Sequence, residues 1–294
     1  MKQFPFFKML MVALSVLFLC GNYSQAEHHQ KNDQKKEKGR QELTHTFSLG
    51  LEQARYFYKE PNVDQDDLSR RFGTLWVKWK GNLWGASASY RLTWQDKLFL
   101  QPELRILYGK HQYIFGRKER IISKTHHQIP SLLYESRLIV GGNISFMNKN
   151  LTLSPYTGIG YRFKSDDSEE VRTTRENILG FYRKSNYVYV PLGASAEYKL
   201  NDTWSVSLKG EYNWMIKGWH YSRRLTSNPR TYSQPNGYGL KGEASVFYLY
   251  NKVKFSVSPY LNYWNVRNSK EKNRGAMEPY NITFESGVRL GVTF

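Results

Sequence analysis

Acidic and basic side chains two residues apart recur along this chain: Glu103/Arg105, Glu135/Arg137, Glu197/Lys199, Lys209/Glu211 and Lys241/Glu243, with Glu285/Arg289 four apart. On an extended strand such residues share a face, so both signs are delivered to the same side. Arg91, Arg162, Lys164, Lys217 and Lys254 fall on the same alternation and add further positive charge. Two uses follow. A neutralised network could fill a narrow interior, where an unpaired charge is costly. A water-filled, net-basic passage would instead favour anions. Hydrolytic chemistry is a third use, and it needs a carboxylate and a histidine within hydrogen-bond reach. His220 ends a strand-like run, yet residue 218 is Gly and residues 116–130 hold no Asp. Ser and Asn are common enough that a Ser–His–Asn set is not identified by their presence. His28-His29 and His126-His127 stand in polar stretches without a carboxylate partner, so no metal and no cofactor is expected.

The elements that must carry these charges read as long hairpins. Four similar units begin GASASYRL (85), GGNISF (141), GASAEYKL (193) and GEASVFYL (242), each a strand, a short polar turn and a second strand. Longer polar stretches at 116–130, 165–185, 220–236 and 268–280 separate them. Ten strands are expected: 43–58, 83–94, 97–115, 132–147, 151–164, 186–200, 203–219, 238–250, 252–267 and 281–294. Residues 59–82 are ambiguous, because 68–80 also alternate. They either lengthen the second strand or add a hairpin, which would make twelve. In 203–217 the apolar set is Trp204, Val206, Leu208, Tyr212, Trp214 and Ile216, opposed by Lys209, Glu211, Asn213 and Lys217. Alternation this long exceeds the 5–6 residues common in soluble sheets and suits a tilted crossing of a bilayer. Aromatics gather near strand ends (Trp94, Tyr198, Trp204, Trp219, Tyr250, Trp264), where interfacial girdles belong.

The N-terminal region predicts export. Lys2 and Lys8 precede a short apolar block, Leu10 to Cys20, and Ser24-Gln25-Ala26 supplies small residues for cleavage. Residues 1–26 are therefore expected to be a signal peptide and 27–42 a polar periplasmic tail, with 43–294 forming the folded domain. The 294 residues carry 43 Lys+Arg against 25 Asp+Glu, a net charge of +18, or +16 once Lys2 and Lys8 are removed. One Cys excludes a disulfide framework, and no later apolar run is long enough for a membrane helix.

Export together with the final segment ITFESGVRLGVTF resembles the bacterial outer-membrane β-barrel superfamily. There a terminal aromatic with alternating apolar residues is the signal read by the barrel-assembly machinery; Phe294, Val292, Leu290 and Val288 match it. The resemblance implies an antiparallel up-and-down transmembrane barrel, a monomer, in the outer membrane, contacting its lipid and lipopolysaccharide and no nucleic acid. Size and strand number are similar to omptin proteases, hairpin style to small monomeric porins. The omptin resemblance would imply an Asp pair and an Asp-x-His on opposite rims, and this sequence supplies neither. The expected role is thus a small porin-like channel or a structural surface protein, with a barrel enzyme of the rim as the alternative.

Overall fold

The computed structural model describes residues 43–61, 75–117, 120–125, 128–147, 150–172, 174, 180–224, 227–270 and 277–294. The expected signal peptide, the polar tail, His28-His29 and His126-His127 lie outside them. The described strands are β1 (Leu43–Glu60), β2 (Leu75–Trp94), β3 (Leu98–Arg117), β4 (Arg120–Lys124), β5 (Ile129–Gly142), β6 (Ile144–Phe146), β7 (Leu151–Asp167), β8 (Phe181–Lys199), β9 (Trp204–Arg224), β10 (Ser227–Gln234), β11 (Gly237–Tyr250), β12 (Val253–Val266) and β13 (Asn281–Thr293).

Ten of these make a closed antiparallel wall, in the order β1, β2, β3, β5, β7, β8, β9, β11, β12, β13. Closure comes from β1 pairing with β13 over Ser48↔Thr293 to Lys59↔Ile282. Phe47 and Phe294 then exchange backbone hydrogen bonds at 3.2 and 2.9 Å, so the last residue seals the seam. Every wall strand has two neighbours and no edge is left open, which is what lets a sheet stand in lipid.

Of the ambiguous stretch, residues 75–82 lengthen β2 and pair from Val77 with both β1 and β3, while 62–74 lie outside the described residues. Three stretches expected to be loops, 116–130, 165–185 and 220–236, contain strand. The β3–β4 and β9–β10 pairs form hairpins at the long-loop end, with register shifts close to their tips. At the opposite end the connections are tight. Asn251 and Lys252, both with positive φ, form the two-residue turn between β11 and β12, which matches the twist of the flanking strands.

Alternation sets the two faces. Outward residues of β2 run Trp84, Ala86, Ala88, Tyr90, Leu92 and Trp94, with Asn82 and Lys80 beyond them. At about 3.4 Å per residue and a tilt near 45°, the interval between the two Trp is roughly 24 Å tall, the height of the apolar band such barrels carry. Leu51, Leu138, Ile159, Leu208, Leu261 and Leu290 continue that exposed band around the circumference.

One predicted girdle residue is elsewhere. Trp264 is only 1% exposed and packs inside, against Tyr187 and Tyr189. Lys217 is likewise displaced. Val188 pairs with Lys217 and Tyr189 with Met215, so Ile216 is an extra residue on β9. This bulge inverts the alternation above it: Met215 and Gly218 are buried, whereas Lys217 is exposed beside Trp219 at 5.9 Å. The expected lumenal position of Lys217 is therefore corrected to the outer surface.

Candidate functional site

The inward faces of the wall place the predicted charges other than Lys217 in one lumen. Arg105 on β3 donates to Glu52 at 2.7 Å, to Glu285 at 3.0 Å and to the Tyr260 hydroxyl at 2.8 Å. Arg162 on β7 donates to the other oxygen of Glu285. Arg289 on β13 reaches Glu52 and Glu243, both at 2.9 Å. Across the lumen, Arg137 on β5 donates to Glu103 at 2.7 Å and to both oxygens of Glu211 at 2.8 Å. Lys241 donates to Glu135 at 2.8 Å, with Glu211 at 3.8 Å. Glu52, Glu211 and Glu285 have fully buried side chains, so each acid sits between cations rather than in water.

Most of these partners are remote in sequence. Opposite charges two apart on one strand point the same way, but their contacts are with neighbouring strands or with the far wall. Glu103 stands opposite Arg137 and Arg105 opposite Glu135 in the β3–β5 register. Among the described residues, Lys164–Asp166 is the ion pair that does join residues two apart. Glu52 and Asp166 lay outside the predicted set, because no opposite charge two residues away on a recognised strand marked Glu52, and Asp166 fell in a stretch read as loop. Lys254 pairs with Glu197 at 2.5 Å. Arg91 donates to Gln101 at 2.5 Å and lies over the Phe99 ring, while Lys209 lies over Tyr156. Lys199 lines the lumen at the end of β8.

Glycines explain how large aromatics reach this layer. Four inward glycines stand directly opposite aromatics: Gly160 by Tyr189, Gly193 by Tyr156, Gly239 by Trp264 and Gly287 by Tyr260. A Cβ on Gly160 would come within 2.2 Å of the Tyr189 ring, so the ring can lie flat only over a bare backbone. Lying flat, Tyr189 donates to Glu135 at 2.5 Å and Tyr156 to Glu211 at 2.8 Å, fixing the acids from the side.

The lumen is therefore divided. On the tight-turn side is a cup of about 740 Å³, whose inner lining reaches Arg105, Glu135 and Arg137. On the long-loop side lies packed aromatic and polar material, and the chamber bounded by Tyr56, Trp79, Arg162, Lys164, Arg183 and His220 measures only about 20 Å³. Its walls are tied: His111 stands 3.4 Å from Asp166, and Arg183 donates to Glu60 at 3.1 Å. Arg183, from a stretch expected to be loop, lies inside. Near the same chamber, Ser185 Oγ is 3.0 Å from His220 Nδ1, and His220 Nε2 is 3.4 Å from Glu278. Glu278 belongs to the segment before β13. Burial pushes its carboxyl up to about 8; neighbouring Arg183 opposes the rise and Glu60 adds to it. Among the described residues, no three His, Cys, Asp or Glu side chains form a metal-binding group.

A ten-strand closed antiparallel barrel with short turns at one end, long loops at the other, an apolar outer band and a polar interior decides the architecture. This is the fold of a bacterial outer-membrane β-barrel. Among solved structures the outer-membrane protease OmpT of Escherichia coli is similar to the chain with a TM-score of 0.58 at 10% identity, covering 89% of this chain and 99% of that one. OprG of Pseudomonas aeruginosa gives a TM-score of 0.34 at 10% identity over 84% and 95%. Ail of Yersinia pestis gives 0.32 at 11% over 85% and 99%. No protein-family profile and no curated protein matches the chain. The barrel's particular activity must be read from its own residues, since likeness at this identity carries the fold alone.

Proposed function

We infer that this chain is an occluded outer-membrane barrel, a structural surface protein rather than an open porin. The observation that carries this reading is the mid-lumen layer in which Arg105, Arg137 and Arg162 tie together acids from β1, β3, β9 and β13. Arg105 is held by three acceptors, Arg137 by two carboxylates and Arg162 by one, and these contacts form a cross-brace; moving one guanidinium aside would take a cation from a buried carboxylate. The packed outer half closes the same path again. Residues 1–26 serve as the cleaved export signal and 27–42 as a periplasmic tail. Val288, Leu290, Val292 and Phe294 present the assembly signal, and the exposed cations of the long-loop end meet lipopolysaccharide phosphates. Liposomes carrying the purified barrel should show no swelling with small sugars beyond that of empty liposomes. Swelling at rates that fall with sugar size would sink the reading.

A second reading rests on Ser185, His220 and Glu278, whose spacing is that of a nucleophile, a base and an orienting acid. The 20 Å³ chamber beside them admits a water but no substrate, so this reading requires the long-loop end to open. Labelling of Ser185 by a fluorophosphonate, abolished in Ser185→Ala, would support it. An unlabelled native protein would remove it.

A further inference from the structure

The cup on the tight-turn side has an uneven account of charge. Of the five carboxylates that line it, Glu103 is taken by Arg137, Glu135 by Lys241, Glu197 by Lys254 and Glu243 by Arg289, each in a contact pair. Asp96 has no such pair among the described residues. Four cations in the same lining, Arg91, Lys199, Lys209 and Lys252, have no contact carboxylate among the described residues either. Arg91 lies 4.1 Å from the centre of the Phe99 ring and Lys209 5.1 Å from that of Tyr156, two buried aromatics that pack together with Ile139. Glu103 and Glu197 lie within electrostatic range of Arg91, and Glu103 and Glu211 within that of Lys209. Each of those acids is already held by another cation. The aromatics fix the two cations in the wall without neutralising them.

The remaining lining suits a polar occupant. Ser48, Ser87, Ser89, Ser195, Ser207 and Ser256 present hydroxyls around the same space. A volume of about 740 Å³ lies within the usual range for small-ligand sites, and a low-dielectric wall concentrates the field of uncompensated charge inside it.

We propose that the cup is a binding site for small phosphate-bearing solutes of the periplasm, held by Arg91 and Lys209 within the wall and drawn in by Lys199 and Lys252 at the mouth. Arg91 can offer a planar pair of donors to two phosphate oxygens, and the lysines supply point charges. The inference rests on the occluded reading only for where the solute stops. Binding and conductance are measured separately, so failure of one is distinguishable from failure of the other.

The test is titration calorimetry of pyrophosphate into the full-length folded barrel in a non-ionic detergent, with glycerol phosphate and phosphatidylglycerol nanodiscs as separate arms. The expected result is one saturable site for pyrophosphate and glycerol phosphate, weakened by added salt. It should weaken roughly tenfold in Arg91→Gln/Lys209→Gln, the scale of one lost charge-assisted bond. Lys80→Gln/Lys110→Gln, on the outer face, should bind like the parent. Heat-modifiable gel mobility checks folding. If the lumenal pair does not fold, Lys199→Gln/Lys252→Gln at the mouth carries the test, with the same direction of change. Three results overturn the proposal: absence of saturable binding, equal weakening in the outer-face control, or binding confined to phosphatidylglycerol.

Discussion

Arg105→Ala is the perturbation from which the interior should suffer most. The guanidinium makes three hydrogen bonds, to Glu52, Glu285 and Tyr260, and lies 5.1 Å from the centre of the Tyr260 ring. Both acids have fully buried side chains, so water does not readily replace the lost donor. Three charge-assisted bonds at about 1.5–3 kcal/mol each set the gross loss. Glu52 keeps Arg289 and Glu285 keeps Arg162, which offsets part of it. The net cost expected is about 3–5 kcal/mol, the usual scale for removing one partner of a buried ion pair. Arg105→Lys restores charge but cannot make three divergent bonds, so it should recover less than half of that loss. Urea unfolding in phospholipid vesicles, read by tryptophan fluorescence with an unchanged denaturant slope, measures the difference. In a cycle with Glu285→Ala, the two changes should couple by about 0.5–3 kcal/mol. A loss under about 1 kcal/mol for Arg105→Ala, with no coupling, would mean that a hydrated lumen substitutes water for the guanidinium, and the cross-brace argument would fail.

Three further changes probe separate parts of the account. Gly160→Val places a side chain where the Tyr189 ring lies and should displace its bond to Glu135; the folded fraction should drop, and partial recovery in Gly160→Val/Tyr189→Ala would assign the clash to that ring. Deleting Phe294 removes the residue that exchanges backbone bonds with Phe47 and ends the assembly signal, so heat-modifiable protein in cells should decrease; unchanged yield argues against the signal. The raised carboxyl of Glu278 means that the folded state holds this proton more tightly than the unfolded chain does. Its contribution is present at low pH and is lost as pH climbs from about 4.5 through about 8. Glu278→Gln should therefore flatten the fall in stability over that window, and parallel stability profiles for the two proteins would refute it.

The wall was largely legible in the sequence because alternation of period two is a local property. Ten strands, tight turns at one end and the outward apolar set all follow from it. The interior was legible by residue but not by partner. Arg105 and Glu103 could be placed on one face, whereas Arg105 meeting Glu52 and Glu285 depends on closure of β1 against β13 and on the shear between them. Lys217 was misplaced because a single bulge residue, Ile216, inverts the alternation, and strict period-two counting carries the old parity through it. Trp264 was misplaced because position near a strand end was weighed above parity; residues 260, 262 and 264 share the inward face. The β4 and β10 segments were read as loop because RIISK and SNPRTYSQ are short, largely polar and lack a sustained apolar alternation. Substituting Arg105 and Arg137 together would leave Glu103 without its contact cation, whereas Glu52 would keep Arg289, Glu285 would keep Arg162, Glu211 would keep Tyr156 and Glu135 would keep Lys241 and Tyr189.

The central claim is that the lumen is closed at mid-height, and single-channel recording in planar bilayers addresses it most directly. With the unmodified barrel inserted under a salt gradient, the account predicts no steady unitary current, because the Arg105, Arg137 and Arg162 contacts span the path and the packed outer half closes it again. A stable, ion-selective unitary conductance from the native protein, reproduced in independent insertions, would contradict it.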